Sequence, residues 1–257
     1  MKPSERFSLA GKRAVVTGAS RGIGWAIARG FAEAGADVAL VGRRQETLDP
    51  LARDLSAETG QRVLATACHV GKAADIDAMI ARVLDAWGGI DILVNNAGTN
   101  PVMAPLAALE ASAWDKIMDV NVKGPFLASA AVVRSMQAQG AGGSIINMAS
   151  VGGLDASPML GAYSVSKAAL LHLTRCLAKE CGASGIRVNA IAPGLIETKF
   201  AAALIETTAI HEAVLRQTPL GRHGQPDEIV GAALFLASEA SAFMTGQVMV
   251  VDGGSRM

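Results

Sequence analysis

The feature that most constrains the fold is a repeated alternation of short β-branched runs with longer segments of helical period. From residue 13 the chain reads RAVVTGA, GWAIARGFAEAG, DVALVGR, QETLDPLARDLSAE, RVLATACHV, ADIDAMIARVLDAWG and DILVNNAG. Strands and helices therefore follow one another in the order βαβαβαβ, which requires a parallel sheet with right-handed crossovers.

The second half of the chain continues this pattern. It predicts a long helix around 112 to 139, a strand GSIINMAS, a helix from about 162, a strand IRVNAIAPG, a helix from 226 and a last strand QVMVVDGG. We expect a Rossmann-type α/β fold: a doubly wound parallel sheet of about seven strands with helices on both faces, in a single domain over 1–257. Ligands of such sheets bind beyond the carboxyl ends of the strands.

Composition excludes several classes of function. The 257 residues hold 23 Lys and Arg against 23 Asp and Glu, so no basic field predicts nucleic-acid binding. The charged start MKPSERFSLAGKR and the absence of a long apolar run argue against a signal peptide and a membrane partner. Scattered cysteines (Cys68, Cys176, Cys181) and histidines predict reduced thiols and no metal site.

A glycine-rich loop directly follows the first predicted strand. TGASRGIG, residues 17 to 24, places Gly18, Ser20, Arg21, Gly22, Ile23 and Gly24 before a helix. Glycines there permit a tight turn and close approach to a pyrophosphate, while the helix N-terminus presents free N–H groups to the negative charge. The loop predicts dinucleotide binding; the alternative is that the glycines only shape a surface turn.

The spacing of this loop is G-x-x-x-G-x-G, and further motifs follow it. They are NNAG at 95 to 98, Asn121, Ser150, YSVSK at 163 to 167 and PGLIET at 193 to 198. In these motifs the chain resembles the short-chain dehydrogenase/reductase family over essentially its whole length. CHVGKAAD, GGIDILVNNAGTNP, WDKIMDVNVKGP and APGLIETKF look like its branch of NADPH-dependent carbonyl and retinal reductases from animal peroxisomes.

The end of the second strand indicates the cofactor. An NAD enzyme usually carries an acidic residue there, whereas VALVGRRQ offers Gly42, Arg43 and Arg44. Guanidinium groups bind a 2′-phosphate through charge-assisted hydrogen bonds, so we predict NADP(H). The family resemblance also associates Arg21, within the glycine-rich loop, with NADP(H) binding. Alternatively, Arg43 and Arg44 only solvate a helix start.

Residues after the third and fourth strands are candidates for the adenosine half of the cofactor. The family commonly has Asp-Val after the third strand, and this chain has His69 and Val70, so His69 either contacts adenine or is structural. After the fourth strand, Asn95, Ala97 and Gly98 let a cofactor lie against backbone. Alternatively, Asn95 is structural, and its side-chain amide joins neighbouring strands.

The single tyrosine of the chain is the candidate acid/base. Tyr163 and Lys167 lie four residues apart on a predicted helix and therefore share one face. A nearby ammonium and a positive nicotinamide favour phenolate. Ser150, after the fifth strand, is placed to polarise a substrate carbonyl. The resemblance implies that Lys167 also holds the nicotinamide ribose and that Asn121 fixes a proton-relaying water; alternatively, Asn121 is a buried polar residue satisfied by backbone.

The resemblance also assigns the loop after the sixth strand and the segment beyond it. Pro193, Gly194, Ile196 and Thr198 would clamp the nicotinamide end of the cofactor, although Thr198 is equally a candidate N-cap. Residues of about 198–218 would form a lid over a small, apolar carbonyl or alcohol substrate. The last strand is apolar and lies at a predicted sheet edge, where it could contact another copy. Tetramers are usual in the family that the chain resembles, so we predict a homotetramer.

These observations predict an NADP(H)-dependent oxidoreductase that interconverts a ketone or aldehyde and an alcohol. The alternatives are a 3-oxoacyl thioester reductase and, from another class, a non-catalytic dinucleotide-binding scaffold or sensor. We expect a cytoplasmic protein. The tripeptide Ser255, Arg256 and Met257 is similar to the peroxisomal targeting signal S-K-L, which would matter only in a eukaryotic source.

Overall fold

A computed structural model describes residues 2–100 and 102–256, and seven strands of this part of the chain form one sheet. The strands are β1 (Arg13–Thr17), β2 (Asp37–Gly42), β3 (Val63–Ala67), β4 (Ile92–Asn95), β5 (Gly143–Met148), β6 (Ile186–Pro193) and β7 (Val248–Val251). Their order is β3-β2-β1-β4-β5-β6-β7, and every pairing between these strands is parallel. The strand order reverses between β1 and β4, where such sheets bind ligands.

Helices cover both faces of the sheet, as predicted. They are α1 (Gly22–Glu33), α2 (Gln45–Thr59), α3 (Ala73–Trp87), α4 (Ala111–Met118), α5 (Gly124–Gln139), α6 (Gly161–Cys181), α7 (Ala202–Glu206), α8 (Thr208–Arg216) and α9 (Val230–Ala237). One face packs Ile27, Leu48 and Leu236 of α1, α2 and α9. The other packs α3, α5 and α6. The Rossmann-type α/β fold is confirmed.

The long helix predicted around 112 to 139 is interrupted. A π-helical turn, Asp119–Lys123, separates α4 from α5. Pro125 in the first turn of α5 lacks the N–H group that would close the α-helical hydrogen bond to the carbonyl of Asn121. The wider turn therefore falls at a predicted site residue, as π-turns often do.

Among the described residues, no helix combines the length and apolar character that a membrane span requires. β7 lies at an edge of the sheet, as predicted. Beyond it, Ser255 Oγ donates to Asp252 Oδ2 over 2.9 Å, and Arg256 forms an ion pair with Asp155. Met257, the last residue of the candidate address, lies outside the described residues.

Candidate active site

The predicted site residues gather along the carboxyl edge of the sheet. The glycine loop follows β1, NNAG begins at the end of β4, Ser150 follows β5, and Pro193 ends β6. Because these four strands are neighbours or near neighbours, motifs far apart in the chain meet in space. The arrangement brings the glycine loop, Ser150, Tyr163 and Lys167 to one side of the molecule.

The glycine loop has the close packing that the sequence predicts. Gly18 has φ +68°, a left-handed conformation that side chains rarely adopt. A Cβ atom added to Gly24 would lie 2.4 Å from the carbonyl oxygen of Gly18 and 2.3 Å from Asn96 Nδ2. Any side chain at Gly24 would therefore displace the loop. Ser20 and Ile23 are half-buried beside it.

Thr17 and Asn96 fasten this loop to β4. The N–H groups of Asn96 and Ala97 donate to Thr17 Oγ1 over 2.9 and 3.1 Å. Asn96 Nδ2 donates to the carbonyl oxygen of Thr17 over 2.8 Å. Sequence analysis missed both residues, although the doubled asparagine of NNAG was a signal for a second role.

The two cations predicted for a 2′-phosphate are exposed at the ends of β1 and β2. Arg21 precedes α1 and Arg43 follows β2, and neither forms an ion pair with another described residue. Arg44 instead approaches Glu46, with 4.0 Å between Nε and Oε1. Among the described residues, Arg44 therefore differs from Arg21 and Arg43 in having a carboxylate neighbour.

His69 and Val70 make local contacts in the loop after β3. The N–H of His69 donates to Asp75 Oδ2 over 2.9 Å, and His69 Nδ1 accepts from the N–H of Gly71 over 3.2 Å. A Cβ added to Gly124 would lie 2.5 Å from the carbonyl oxygen of Val70, so α5 packs closely here. These bonds favour the structural interpretation of His69, and its adenine contact stays a prediction.

Asn95 belongs to a buried chain of hydrogen bonds across the sheet. Its Nδ2 donates to Ser129 Oγ over 3.0 Å and to Asn147 Oδ1 over 2.9 Å. Asn147 Nδ2 in turn donates to Thr174 Oγ1 over 2.9 Å. Asn95 is thus a strand-joining amide, the alternative raised from sequence, whereas the following Ala97 and Gly98 are more accessible. Sequence analysis missed Asn147, Ser129 and Thr174.

Ser150, Tyr163 and Lys167 converge below the end of β5. Ser150 caps a short 3-10 segment, its Oγ accepting from the N–H of Gly152 over 3.1 Å. The Ser150 hydroxyl acts on the Tyr163 phenol, whose pKa it lowers. Lys167 is buried, and its Nζ donates to the carbonyl oxygen of Met148 over 2.7 Å and lies 5.6 Å from the centre of the Tyr163 ring.

Burial dominates the protonation of this group. It raises the pKa of Tyr163 to about 12, with the Ser150 hydrogen bond acting in the opposite direction. Burial lowers the pKa of Lys167 to about 8. The sequence predicts that Lys167 lowers the pKa of Tyr163. In the protein without its cofactor the pKa is raised instead, because removal from water disfavours the charged forms of both side chains. The phenol is therefore held as a proton donor.

Asn121 joins the π-turn to the helix that carries Tyr163. Its buried amide accepts from the N–H of Thr99 over 2.8 Å and donates to the carbonyl oxygen of Thr99 over 2.9 Å. It also donates to Ser166 Oγ over 3.0 Å, and Ser166 Oγ donates to the carbonyl oxygen of Tyr163 over 2.7 Å. Both side-chain N–H groups of Asn121 are thereby used, so Asn121 could hold the predicted water only through an oxygen atom or its backbone.

The loop after β6 lies against the glycine loop. A Cβ added to Gly22 would lie 3.2 Å from Thr198 Cγ2. Thr198 Oγ1 accepts from the N–H of Ala201 over 3.3 Å, so it caps the turn before α7 rather than the helix itself. Gly194 is pressed against the chain after β7, where an added Cβ would lie 2.8 Å from Asp252 Cα.

The predicted lid segment consists of α7 and α8. Phe200, at its start, is exposed and packs against Tyr163 in a tilted arrangement: the two ring centres lie 5.6 Å apart, at an interplanar angle of 42°. Sequence analysis missed Phe200. In the described part of the chain, no group of three or more His, Cys, Asp or Glu side chains is arranged to hold a metal ion.

Comparisons with known proteins agree with this geometry. A family model described as Enoyl-(Acyl carrier protein) reductase matches residues 18–256. Dehydrogenase/reductase SDR family member 4 from Oryctolagus cuniculus is 44% identical over 252 residues, which are 98% of this chain and 96% of the relative. A short-chain type dehydrogenase/reductase from Mycobacterium marinum has a similar structure, with TM-score 0.93, 40% identity and 98% of each chain covered.

The chain belongs to the short-chain dehydrogenase/reductase family. The predicted family is confirmed, and with it the enzyme class, an oxidoreductase. The gluconate 5-dehydrogenase of Gluconobacter oxydans is 41% identical over 254 residues, 99% of this chain and 98% of the relative. A gluconate 5-dehydrogenase from Burkholderia cenocepacia in complex with NADP and tartrate has TM-score 0.94 and 42% identity, covering 98% of this chain and 97% of that one.

The structure of this short-chain dehydrogenase/reductase brings most predicted residues together and separates a few. The glycine loop, Ser150, Tyr163, Lys167 and the loop containing Thr198 form one continuous site. Asn95 lies behind it in the sheet, and the cofactor contact predicted for Arg44, which has Glu46 as a neighbour, stays a prediction.

Proposed function

We propose that this protein is an NADP(H)-dependent oxidoreductase that interconverts a ketone or aldehyde and an alcohol through Ser150, Tyr163, Lys167 and Asn121. The observation that carries the proposal is the grouping of a neutral phenol, its serine partner and a buried ammonium. Ser150 lowers the pKa of the Tyr163 phenol, against the effect of burial, and Lys167 lies beneath the same ring. A non-catalytic scaffold would have no need to keep a lysine buried at an energetic cost.

The cofactor fits the residues around the site. No side chain fits at Gly24, so the glycine loop packs tightly on the start of α1, where a pyrophosphate would bind. The exposed Arg21 and Arg43 have guanidinium groups available for a 2′-phosphate. On the nicotinamide side, a Cβ added to Gly98 would lie 3.6 Å from both Lys167 Nζ and Asn121 Oδ1, so a ribose hydroxyl at this place would meet polar groups.

In the reductive direction, bound NADPH would supply the hydride for the carbonyl carbon. Ser150 donates its hydroxyl proton in a hydrogen bond to the carbonyl oxygen, which stabilises the negative charge that develops there. Tyr163 transfers its proton to that oxygen, so C=O becomes CH–OH. Lys167 orients the ribose and favours the phenolate that remains, and Asn121 holds the start of α6 through Ser166.

The substrate side of the site is apolar. Val102, Met103, Leu106, Met159 and Phe200 are exposed hydrophobic residues of the loops beside Ser150 and of the lid. The N–H of Ala104 donates to the carbonyl oxygen of Met159 over 3.0 Å, so these two loops form one wall. Because Arg256 is already paired with Asp155, it is not free for a substrate carboxylate. A small apolar carbonyl compound is therefore the favoured substrate.

The assembly proposed for the enzyme is a homotetramer. Leu220, Phe243 and Val250 are exposed apolar residues at the β7 end of the molecule. Phe126 and Val165 are exposed on α5 and α6. Two separate apolar surfaces are what a tetramer of twofold interfaces requires. Light scattering at micromolar concentration should give four times the mass of the chain, and a stable monomer would contradict the proposal.

Residues 1–257 act as one domain in this proposal, residues 198–218 close as a lid, and the enzyme works in the cytoplasm with no nucleic-acid partner. The test of function is a panel of carbonyl compounds and alcohols with both nicotinamide cofactors. Apolar ketones and aldehydes should be reduced with NADPH faster than sugar acids such as 5-ketogluconate. Preference for the sugar acid would move the assignment toward the gluconate 5-dehydrogenase relatives, and absence of turnover with every compound would favour a binding protein.

A further inference from the structure

Three side chains outside the catalytic group form a hydrogen-bonded chain between the lid and the loop after β6. His211 Nε2 lies 3.2 Å from His223 Nδ1, and His223 Nε2 lies 3.0 Å from Glu197 Oε2. Gln225 Nε2 donates to the same carboxylate oxygen over 2.7 Å. The histidine rings are 5.3 Å apart. We call His211, His223 and Glu197 the histidine relay.

The relay connects the lid to the loop that follows β6. His211 is on α8, whereas Glu197 lies between Ile196 and Thr198 of the proposed cofactor loop. His223 is anchored beside Glu197 because the two segments pair through backbone: the N–H of Gly224 donates to the carbonyl oxygen of Leu195, and the N–H of Glu197 donates to that of Gly224, both over 2.9 Å. The contact between the two histidines therefore joins α8 of the proposed lid to the segment that pairs with the loop after β6.

We propose that His211 and His223 are positioning residues that hold the lid closed and release it when both imidazoles are protonated. This inference rests on the proposed function of the lid. The carboxylate of Glu197 orients an N–H of His223 at Nε2, which leaves Nδ1 of a neutral His223 to accept the Nε2–H of His211.

Proton counting gives the condition for release. One added proton leaves the bond intact, since a protonated His223 donates from Nδ1 to an unprotonated Nε2 of His211. A second proton places N–H groups on both facing nitrogens, so no acceptor remains and two positive charges oppose each other at 3.2 Å. The contact between the two histidines therefore breaks in acid, when the pair carries two added protons.

The charged groups around the relay do not remove this dependence. Glu212 pairs with Arg216 on α8, and Arg222 pairs with Glu228 beside His223, while Lys199 lies two residues after Glu197. The hydrogen bonds from Arg222 lower the pKa of Glu228 to about 2, and those from Gln225 and His223 lower the pKa of Glu197. These hydrogen bonds therefore favour the ionised form of both carboxylates.

The experiment measures amide hydrogen exchange of residues 199–217 in the NADP⁺ complex, at about pH 7.5 and about pH 5.5, together with the KM for a carbonyl substrate. Rates are corrected for the intrinsic effect of pH. In the wild type, exchange of the lid and KM should both rise about three- to tenfold in acid. His211→Ala should show the high values at both pH values.

His211→Gln keeps a donor near the position of Nε2 but does not titrate, so it should show the low values at both pH values. His172→Gln removes an exposed histidine on α6 and should behave as wild type. Lid exchange that is equal in wild type and His211→Ala at about pH 7.5, or a wild-type lid unchanged in acid, would overturn the proposal. If exchange follows the predicted pattern while turnover is absent throughout, the relay stands and the enzymatic assignment fails.

Discussion

The Nζ atom of Lys167 lies 2.7 Å from the carbonyl oxygen of Met148, and its side chain is almost completely buried. Burial lowers the pKa of Lys167 to about 8, so a charged lysine costs stability in the folded protein. Between about pH 8 and the ordinary lysine pKa near 10.4, the unfolded chain binds the proton that the folded chain has lost. Stability from this residue should therefore rise with pH across that window.

Lys167→Met should raise the free energy of unfolding at neutral pH by about 1–3 kcal/mol and remove this rise with pH, because it replaces a buried charge by an apolar side chain. Denaturant unfolding at a series of pH values checks it. A destabilised Lys167→Met protein would show that the bond to Met148 outweighs the cost of burial. Activity should be lost in either case, since the residue is proposed to contact the cofactor.

Tyr163 should resist ionisation in the protein alone. Burial raises its pKa to about 12, and it is the only tyrosine in the chain, so the near-ultraviolet absorbance of phenolate reports this residue without interference from others. At a pH near 10.5, where most tyrosines are largely ionised, Tyr163 should remain protonated. Addition of NADP⁺ should shift the titration downward. A titration midpoint near 10 without cofactor would contradict the effect of burial described here.

Arg43→Asp should reverse the cofactor preference. The unmodified enzyme is expected to favour NADPH over NADH by at least about tenfold in kcat/KM, through charge-assisted bonds to the 2′-phosphate. An aspartate at this position repels that phosphate and accepts from ribose hydroxyls instead. Arg44→Asp is the matched control. It should change the cofactor preference little, because Arg44 already has Glu46 as a neighbour. Equal kcat/KM for the two cofactors in the unmodified enzyme would refute the assignment.

The sheet, its helical layers and the meeting of the motifs at one edge were predictable because strand and helix periods are strong and parallel topology is restrictive. The break at Asp119–Lys123 was not, since a π-turn depends on the packing of Asn121 and Gly124 as well as on Pro125. Asn95 illustrates the same limit. Its amide and that of Asn147 become partners only when β4 and β5 pair, which no local pattern encodes.

The sequence also could not predict whether folding raises or lowers the pKa of Tyr163 in the absence of cofactor. Spacing predicts that Lys167 lies near the phenol, but the balance between attraction and desolvation depends on how much water the folded chain removes. Likewise, nothing in the sequence places the ring of Phe200 on Tyr163. Motifs therefore predicted which residues meet, and packing determined their protonation and their neighbours.

Gly24→Ala should weaken cofactor binding strongly. The added methyl group would lie 2.4 Å from the carbonyl oxygen of Gly18, so the glycine loop must shift away from β4. We expect more than about tenfold weaker NADPH binding and a loss of about 1–3 kcal/mol in stability. Gly231→Ala is the control: it lies at the exposed start of α9 with nothing within 4 Å of an added Cβ, and should stabilise by up to about 1 kcal/mol. Fluorescence titration and thermal unfolding measure both; unimpaired binding in Gly24→Ala would contradict the proposed loop geometry.

The central claim is that Tyr163 delivers the proton in carbonyl reduction, and Tyr163→Phe tests it most directly. The change keeps the ring that packs on Phe200 and removes only the hydroxyl group, so NADPH affinity measured by fluorescence titration should stay within about twofold of wild type. NADPH oxidation with the best carbonyl substrate, followed by absorbance, should fall by about 10²- to 10⁴-fold, because no other positioned acid remains. Wild-type turnover in Tyr163→Phe, with NADPH bound normally, would show that the phenol is structural and that the proposed mechanism is wrong.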